Sequence, residues 1–443
     1  MPADEAKPVT AKITKKPRYF YGWNIVGAAF MAQLAYAQHF SSNLGLFFKP
    51  LQAEFGFTRS AMAAIQTVAR MTEGVTAPIV GPFIDRYGPR ILMPLGAIIV
   101  AVGSILATRS TSVWQFYLTR GITTAFGYTL LGVLVVDVTI SKWFARKRGR
   151  ATGITRIGSS LSTFIMTPLT VFVIEKYGWR QMFVVFAVFT LSTVLLPALI
   201  FMRRRPEDMG LLPDGDEPGA MVEALAKGKL KPSSVKESVA PEKVWSRREV
   251  LRNSAFWLVA ATYTVDAFAF QAINISMPPY FQDLGHGAAV VAAVLTFRGV
   301  VMAVAAPVAG FAAEHANRPV IRAIPFMMQC VAAVLFLMAK SPVFLWLAVV
   351  VYGTALASTG VTQAVVWADF FGRHSLGTVR SMAYFLIFGF GAIGPVVMNA
   401  IYDVTGSYRP AFLGIFVLFV IASLMIMAAR PPKPRTVATP TTP

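Results

Sequence analysis

Residues 81–90 read Gly81-Pro-Phe-Ile-Asp85-Arg86-Tyr-Gly88-Pro-Arg90 and stand between two apolar runs, each long enough to cross a bilayer as a helix. This placement constrains the chain more than any other feature. The stretch fits Gly-x-x-x-Asp-Arg-x-Gly-x-Arg without a gap. Gly81 lets a helix end pack closely on a neighbour, and Asp85 can meet a cation or a helix N-terminus. Gly88-Pro89 turns the chain sharply, and Arg86 and Arg90 hold the turn at the membrane surface.

Composition agrees with a membrane chain. Hydrophobic residues make up 55% and charged residues 14% of the 443 residues, where a soluble domain carries about a quarter charged. The length accommodates twelve spans of about 20 residues with one long loop. The first twenty residues are polar and basic, which predicts an uncleaved first span. One cysteine, Cys330, and four histidines exclude an intramolecular disulfide and a multi-thiolate or zinc centre. A net charge of +20 would suggest nucleic acid in a soluble protein. Here the lysines and arginines collect on alternate connections, and the positive-inside rule then puts both termini in the cytoplasm. The predicted setting is the inner (plasma) membrane, with the bilayer as partner, no nucleic acid and no cofactor.

Taken in order, 1–20 is a cytoplasmic tail, 21–202 a six-helix bundle and 203–254 a cytoplasmic linker. A second six-helix bundle covers 255–429, and 430–443 is a tail. The linker is rich in Lys, Glu, Pro and Gly and reads as mostly disordered, with a short amphipathic helix at most. In the first span Tyr36, His39 and Asn43 share a face; in the second, Gln66, Arg70 and Glu73 do, with Arg70 and Glu73 at pairing distance. The fourth carries Arg120, Thr124 and Tyr128, and the seventh carries Asp266, Phe270 and Asn274. Arg298 lies in the middle of the eighth. Ionisable residues inside spans are expensive to keep, so they mark the candidate solute and proton path. A guanidinium can grip a carboxylate bidentately and stays charged, which makes Arg298 a fixed anion site. Asp266 is expected to compete for Arg298 while ionised and to release it when protonated, coupling one proton to one anion. A permanent Asp266–Arg298 pair is the structural alternative. His39 suits proton relay. Arg70, Glu73 and Arg120 fit structural or gating roles, with Arg120 the second choice for an anion site. No nucleophile–base pair, phosphate loop or metal spacing points to an enzyme.

The 81–90 loop resembles the signature between the second and third helices of the major facilitator superfamily, and Arg120-Gly121 resembles a second signature. The halves echo each other. Trp143-Phe144-Ala145-Arg146 corresponds to Asp369-Phe370-Phe371-Gly372-Arg373, and Gly310-Phe-Ala-Ala-Glu314 is a worn copy of the opening signature. The implied fold is an all-α membrane protein of twelve transmembrane helices in two pseudo-symmetric bundles. Tyr21-Gly22-Trp23, Phe47-Phe48-Lys49, the 81–90 loop, Trp143 to Gly149 and Arg298 together resemble the monocarboxylate transporters and their oxalate–formate relatives. That resemblance implies a monomeric, proton-coupled symporter of lactate- or pyruvate-like acids working by alternating access. It points to Arg298 for the carboxylate, with Tyr128 and Tyr352 lining the site. The residues themselves add Asn274 and Arg120 for substrate, Asp266, His39 and Glu73 for the proton, and Gly81, Asp85, Arg86, Gly88, Arg90 and Arg70 for gating. Val294 stands four before Arg298, where the family pattern has aspartate, which leaves Asp266 that part. The residues also allow anion exchange, efflux of another amphiphile, or a solute sensor signalling through 203–254.

Overall fold

The computed structural model describes residues 19–36, 38, 46–56, 59–215, 245–314 and 319–432. These form helices and turns, with no strand among the described residues. Ten helices are long and apolar enough to cross a membrane. Two more, Gly22–Tyr36 and Arg59–Tyr87, complete a set of twelve.

In chain order they are α1 (Gly22–Tyr36), α2 (Arg59–Tyr87), α3 (Pro89–Thr108), α4 (Val113–Trp143), α5 (Arg148–Tyr177) and α6 (Trp179–Phe201). The second set is α7 (Ser254–Asp283), α8 (Ala288–Ala313), α9 (Pro319–Leu337), α10 (Pro342–Phe371), α11 (Leu376–Thr405) and α12 (Arg409–Ala428). α2 is too polar to pass as a span on composition, because it carries Arg70, Glu73 and Asp85. It packs along α11 of the second set, so protein rather than lipid receives those groups. α5 packs along α8 in the same way, and these two helix pairs form the seam between the halves.

Several helices depart from regular geometry where the site lies. α4 widens into a π-turn over Tyr117–Thr124, which contains Arg120. It breaks at Gly132, where the backbone is extended and a side chain would strike the Tyr36 ring. α11 is interrupted between Gly391 and Gly394.

The α2–α3, α4–α5 and α10–α11 connections lie at one end of the bundle, called here the basic face. The two ends of the linker lie against this face. In a Pro-Asp-Gly turn, the Asp214 carboxylate accepts from the N–H groups of Ala145, Arg146 and Lys147 at 2.7–3.1 Å and so caps α5. On the far side of the linker, a capping box between Ser246 and Glu249 starts the helix Arg247–Leu251. Arg247 then donates to the Pro78 carbonyl of α2. Residues 216–244, together with His39 and Asn43, lie outside the described residues.

Candidate functional site between the halves

Two matching contacts close the basic face. Gly81 of α2 lies against Gly377 and Ser381 of α11, and Gly149 of α5 lies against Gly310 of α8; a side chain at any of these glycines would strike the partner helix. Beyond Gly81, the Asp85 carboxylate accepts from the N–H of Thr378 (2.9 Å) and of Gly377 (3.3 Å) at the start of α11. It also takes the Lys142 ammonium of α4 at 2.9 Å. Asp85 thus meets both a helix N-terminus and a cation. Beyond Gly310, Glu314 accepts from the Arg150 N–H at the start of α5 (3.2 Å) and pairs with the Arg150 guanidinium (2.9 Å). In each half, the carboxylate ending the second helix caps the fifth helix of the other half. Gly88 turns the chain with φ +75° directly against Arg204, while Arg86 and Arg90 are exposed and Arg86 lies over the Tyr87 ring.

Deeper in, the seam carries ion pairs. Arg148 of α5 meets Asp369 of α10 at 2.8 Å. Asp137 of α4 receives Arg156 of α5 at 2.7 Å and Arg380 of α11 at 2.8 Å. Above Arg380, a cavity of about 180 Å³ opens between the halves, well beyond the ~10–15 Å³ that one water needs. Tyr36, Arg70 and Val133 line it from the first half; Phe270, Gln271, Gln363, Tyr384 and Phe388 line it from the second. Arg70 donates to Glu73 (2.8 Å) and to the Tyr36 hydroxyl (3.3 Å), and its guanidinium lies over the Phe388 ring of the facing half.

This arrangement, two sixfold helix sets closed at one face over an interfacial cavity, coincides with a family match. The profile described as Major Facilitator Superfamily matches residues 25–394. The chain belongs to that superfamily.

It is therefore a multi-pass membrane transporter rather than an enzyme. Among curated relatives, human monocarboxylate transporter 2 is 24% identical over 438 residues, covering 95% of this chain and 87% of the relative. Monocarboxylate transporter 12-B of Danio rerio is 24% identical, covering 92% and 87%. The crystal structure of the human organic anion transporter MFSD10 (TETRAN) superposes with a TM-score of 0.69 at 17% identity, covering 91% of this chain and 99% of that one. The proton:xylose symporter XylE gives 0.71 at 14%, covering 93% and 96%. At such identities the structures report the shared fold.

The transporter's interior cations divide by how they are neutralised. Arg70 has Glu73, and Arg156 and Arg380 share Asp137. Arg298 has no acidic partner among the described residues: it points a guanidinium N–H at the Met277 sulfur (3.8 Å), packs on Gly353 and lies beside Tyr352. Arg70 stands eleven residues before Gly81 and Arg298 twelve before Gly310, so the two arginines occupy nearly matching places in the two halves. Only the first carries its own counter-ion. Arg120 likewise lacks an acidic partner among the described residues; it is buried beside Tyr128 and over the Phe183 ring.

One expectation needs correcting. Asp266 does not pair with Arg298. Its carboxylate accepts from the Gln329 amide at 2.8 Å, and Gln329 also donates to Thr359. Asp266 sits three turns from Met277, the residue level with Arg298, so α7 carries it past the arginine. Tyr352 stands in electrostatic reach of both. Asn274 is half-buried one turn beyond Phe270. Tyr128 packs edge-on to Tyr36 and borders, with Glu73, Thr129 and Tyr384, a niche beside the main cavity. The sequence reading overlooked Asp137, Gln271, Gln329, Gln363 and Arg380. Arg380 was findable, since it lies one turn inside an apolar span; the glutamines were not, because an uncharged amide in a span gives no sign of which way it faces.

Proposed function

We propose that this transporter moves a small organic monocarboxylate together with a proton by alternating access, with Arg298 holding the carboxylate. The observation that carries this reading is the eighth-helix guanidinium without a counter-ion of its own. Arg298 sits inside a span with no acidic partner among the described residues, while its counterpart in the other half is neutralised by Glu73. A fixed interior cation without a counter-ion favours an anionic occupant, and Tyr352 beside it offers a hydroxyl to the same group. The curated relatives named as monocarboxylate transporters support the substrate class. Asp266 is the proton carrier in this reading, because it is an interior carboxylate held by an amide rather than by a cation. In this reading the basic face is cytoplasmic, and the Asp85 and Glu314 contacts close the inner side of an outward-facing form. Arg70, Glu73 and Tyr36 form the charged wall of the cavity through which the acid approaches.

The test is uptake of a labelled panel of small acids into proteoliposomes, with and without an imposed proton gradient. Wild type is compared with Arg298→Ala and Asp266→Asn. Gradient-stimulated uptake of one acid, lost in Arg298→Ala, is expected; Asp266→Asn should keep exchange of internal for external acid but lose the response to the gradient. Uptake unaffected by Arg298→Ala removes the assigned anion site. Uptake that needs an internal acid and ignores the gradient replaces symport by exchange.

A further inference from the structure

The Asp137–Arg156–Arg380 cluster holds two guanidinium groups and one carboxylate. Asp137 and Arg380 are both fully buried, at 0% side-chain exposure, and the pair joins α4 to α11 across the seam. The other seam pairs lie nearer water: Asp369 is 30% exposed and Arg150 48%. Arg380 spends one nitrogen on Asp137 and on the Tyr384 hydroxyl (3.1 Å), while its Nε and other terminal nitrogen have no partner among the described residues. The Tyr263 hydroxyl, also buried and without a partner among the described residues, stands in electrostatic reach of Arg380. Tyr384 lines the cavity, so Arg380 lies one helical turn below the cavity floor.

Opening the basic face separates α11 from α4 and α5. Asp137 and Arg156 belong to the same half and stay together as a neutral pair. Arg380 departs alone, with one uncompensated positive charge and several unused donors. We propose that Arg380, with the Tyr384 and Tyr263 hydroxyls, is a second anion site on the path from cavity to basic face, where a substrate carboxylate replaces Asp137 as the halves part. This rests on the carboxylate-transport reading above. The loaded carrier then exchanges one counter-ion for another, whereas the empty carrier must strand a buried guanidinium. Two consequences follow from charge alone. Return of the empty carrier is slower than return of the loaded one, and a monoanion neutralises Arg380 where a dianion overshoots by one charge.

The experiment compares exchange with net efflux in proteoliposomes, using the monocarboxylate that wild type takes up fastest. In wild type, acid on the opposite side should accelerate efflux at least about tenfold, as expected where a buried pair is otherwise broken without replacement. In Arg380→Gln the acceleration should fall to within about twofold, because no charge is stranded by the empty carrier. Arg380→Lys, which keeps the charge, should retain most of it. An arginine that merely holds helices together would lower both fluxes and leave their ratio unchanged, and that result overturns the proposal. If Arg380→Gln fails to accumulate in the membrane, Arg380→Met, which removes the charge, keeps the volume and leaves the Asp137–Arg156 pair intact, is read the same way. A wild-type protein that moves no monocarboxylate overturns the transport reading and this site with it. Wild-type transport with an unaltered ratio in both variants overturns this site alone.

Discussion

Asp85→Asn is the sharpest probe of how the basic face is held shut. The substitution keeps the shape but leaves one carbonyl oxygen where the Gly377 and Thr378 N–H groups each used a separate carboxylate oxygen, so the contact with α11 loses its charge and one acceptor. What it removes from the contact between the halves is charge: Lys142 of α4 belongs to the same half as Asp85 and stays beside it in either state, so their pairing at 2.9 Å does not itself favour closure. The N-terminal dipole of α11 loses a favourable anion worth about 0.3–1 kcal/mol, and the N–H left without its acceptor costs about 1 kcal/mol more. That free energy shifts the closed-to-open equilibrium about tenfold. Hydrogen exchange resolved by residue is the assay, read in two places. The Gly377 and Thr378 amides should exchange about ten times faster in the variant, and so should the Arg150 amide, which is held by Glu314 at the other seam contact. If only the α11 amides respond while Arg150 keeps its protection, Asp85 is a local cap and the idea of a latch on the whole face is wrong.

Three other expectations follow from the geometry. Gly149→Val puts a branched side chain into the Gly310 backbone, so the closed basic face should become inaccessible and transport fall by at least about tenfold, while the protein still reaches the membrane; normal flux would show that the two helices need not approach so closely. Asp214→Ala leaves three N–H groups at the start of α5 without their acceptor and should cost about 1–2 kcal/mol locally, seen as faster exchange of the 145–147 amides. On the face opposite the basic one, the Arg180 guanidinium and the Trp179 N–H hold the Glu54 carboxyl below the usual carboxylate range. A depressed carboxylate stabilises above its unfolded value and stops doing so as pH falls through its folded value. The clasp between the helix Phe48–Phe55 and α6 should therefore persist at neutral pH and release only in acid. Trp179 fluorescence would follow the release, and Arg180→Gln should move it toward ordinary carboxylate values; an unmoved transition would mean Arg180 does not set it.

The fold was legible because a bilayer permits few answers. Apolar runs of fixed length, basic residues on alternate connections and the 81–90 loop all point to one architecture, and each is a local property of the chain. Site assignments needed more than local information. Arg70 and Glu73 stand three apart on one helix, so their pairing can be read from the helical period. Asp137 and Arg380 stand 243 residues apart, and no period connects them; only the packing of α4 against α11 does. Asp266 shows the opposite failure. Its type and depth suggested a partner in Arg298, but whether two helices bring such groups level depends on their relative shift along the bundle. Here α9 supplies Gln329 instead.

That shift has a functional consequence. Had Asp266 met Arg298 directly, the two halves would carry equivalent, self-neutralised arginines, and an external anion would first have to displace an internal acid from either. The chain keeps the symmetric frame, with Gly81 and Gly310 at the seam and Asp85 and Glu314 as crossed caps. It breaks the symmetry at one point, where Arg70 finds an acid one turn away and Arg298 finds a sulfur and a tyrosine. Placing an acid on α8 one turn from Arg298, as in Val294→Asp, should restore the symmetry. Val294 is fully buried, so the new carboxylate would be stable only if paired with the arginine. The expected result is a folded transporter with weaker substrate affinity, its KM raised at least about tenfold, the loss that follows when an anion must displace an internal partner. Unchanged KM with Val294→Asp in place would show that the carboxylate binds elsewhere, and Arg70 at the cavity wall would then be the first residue to substitute.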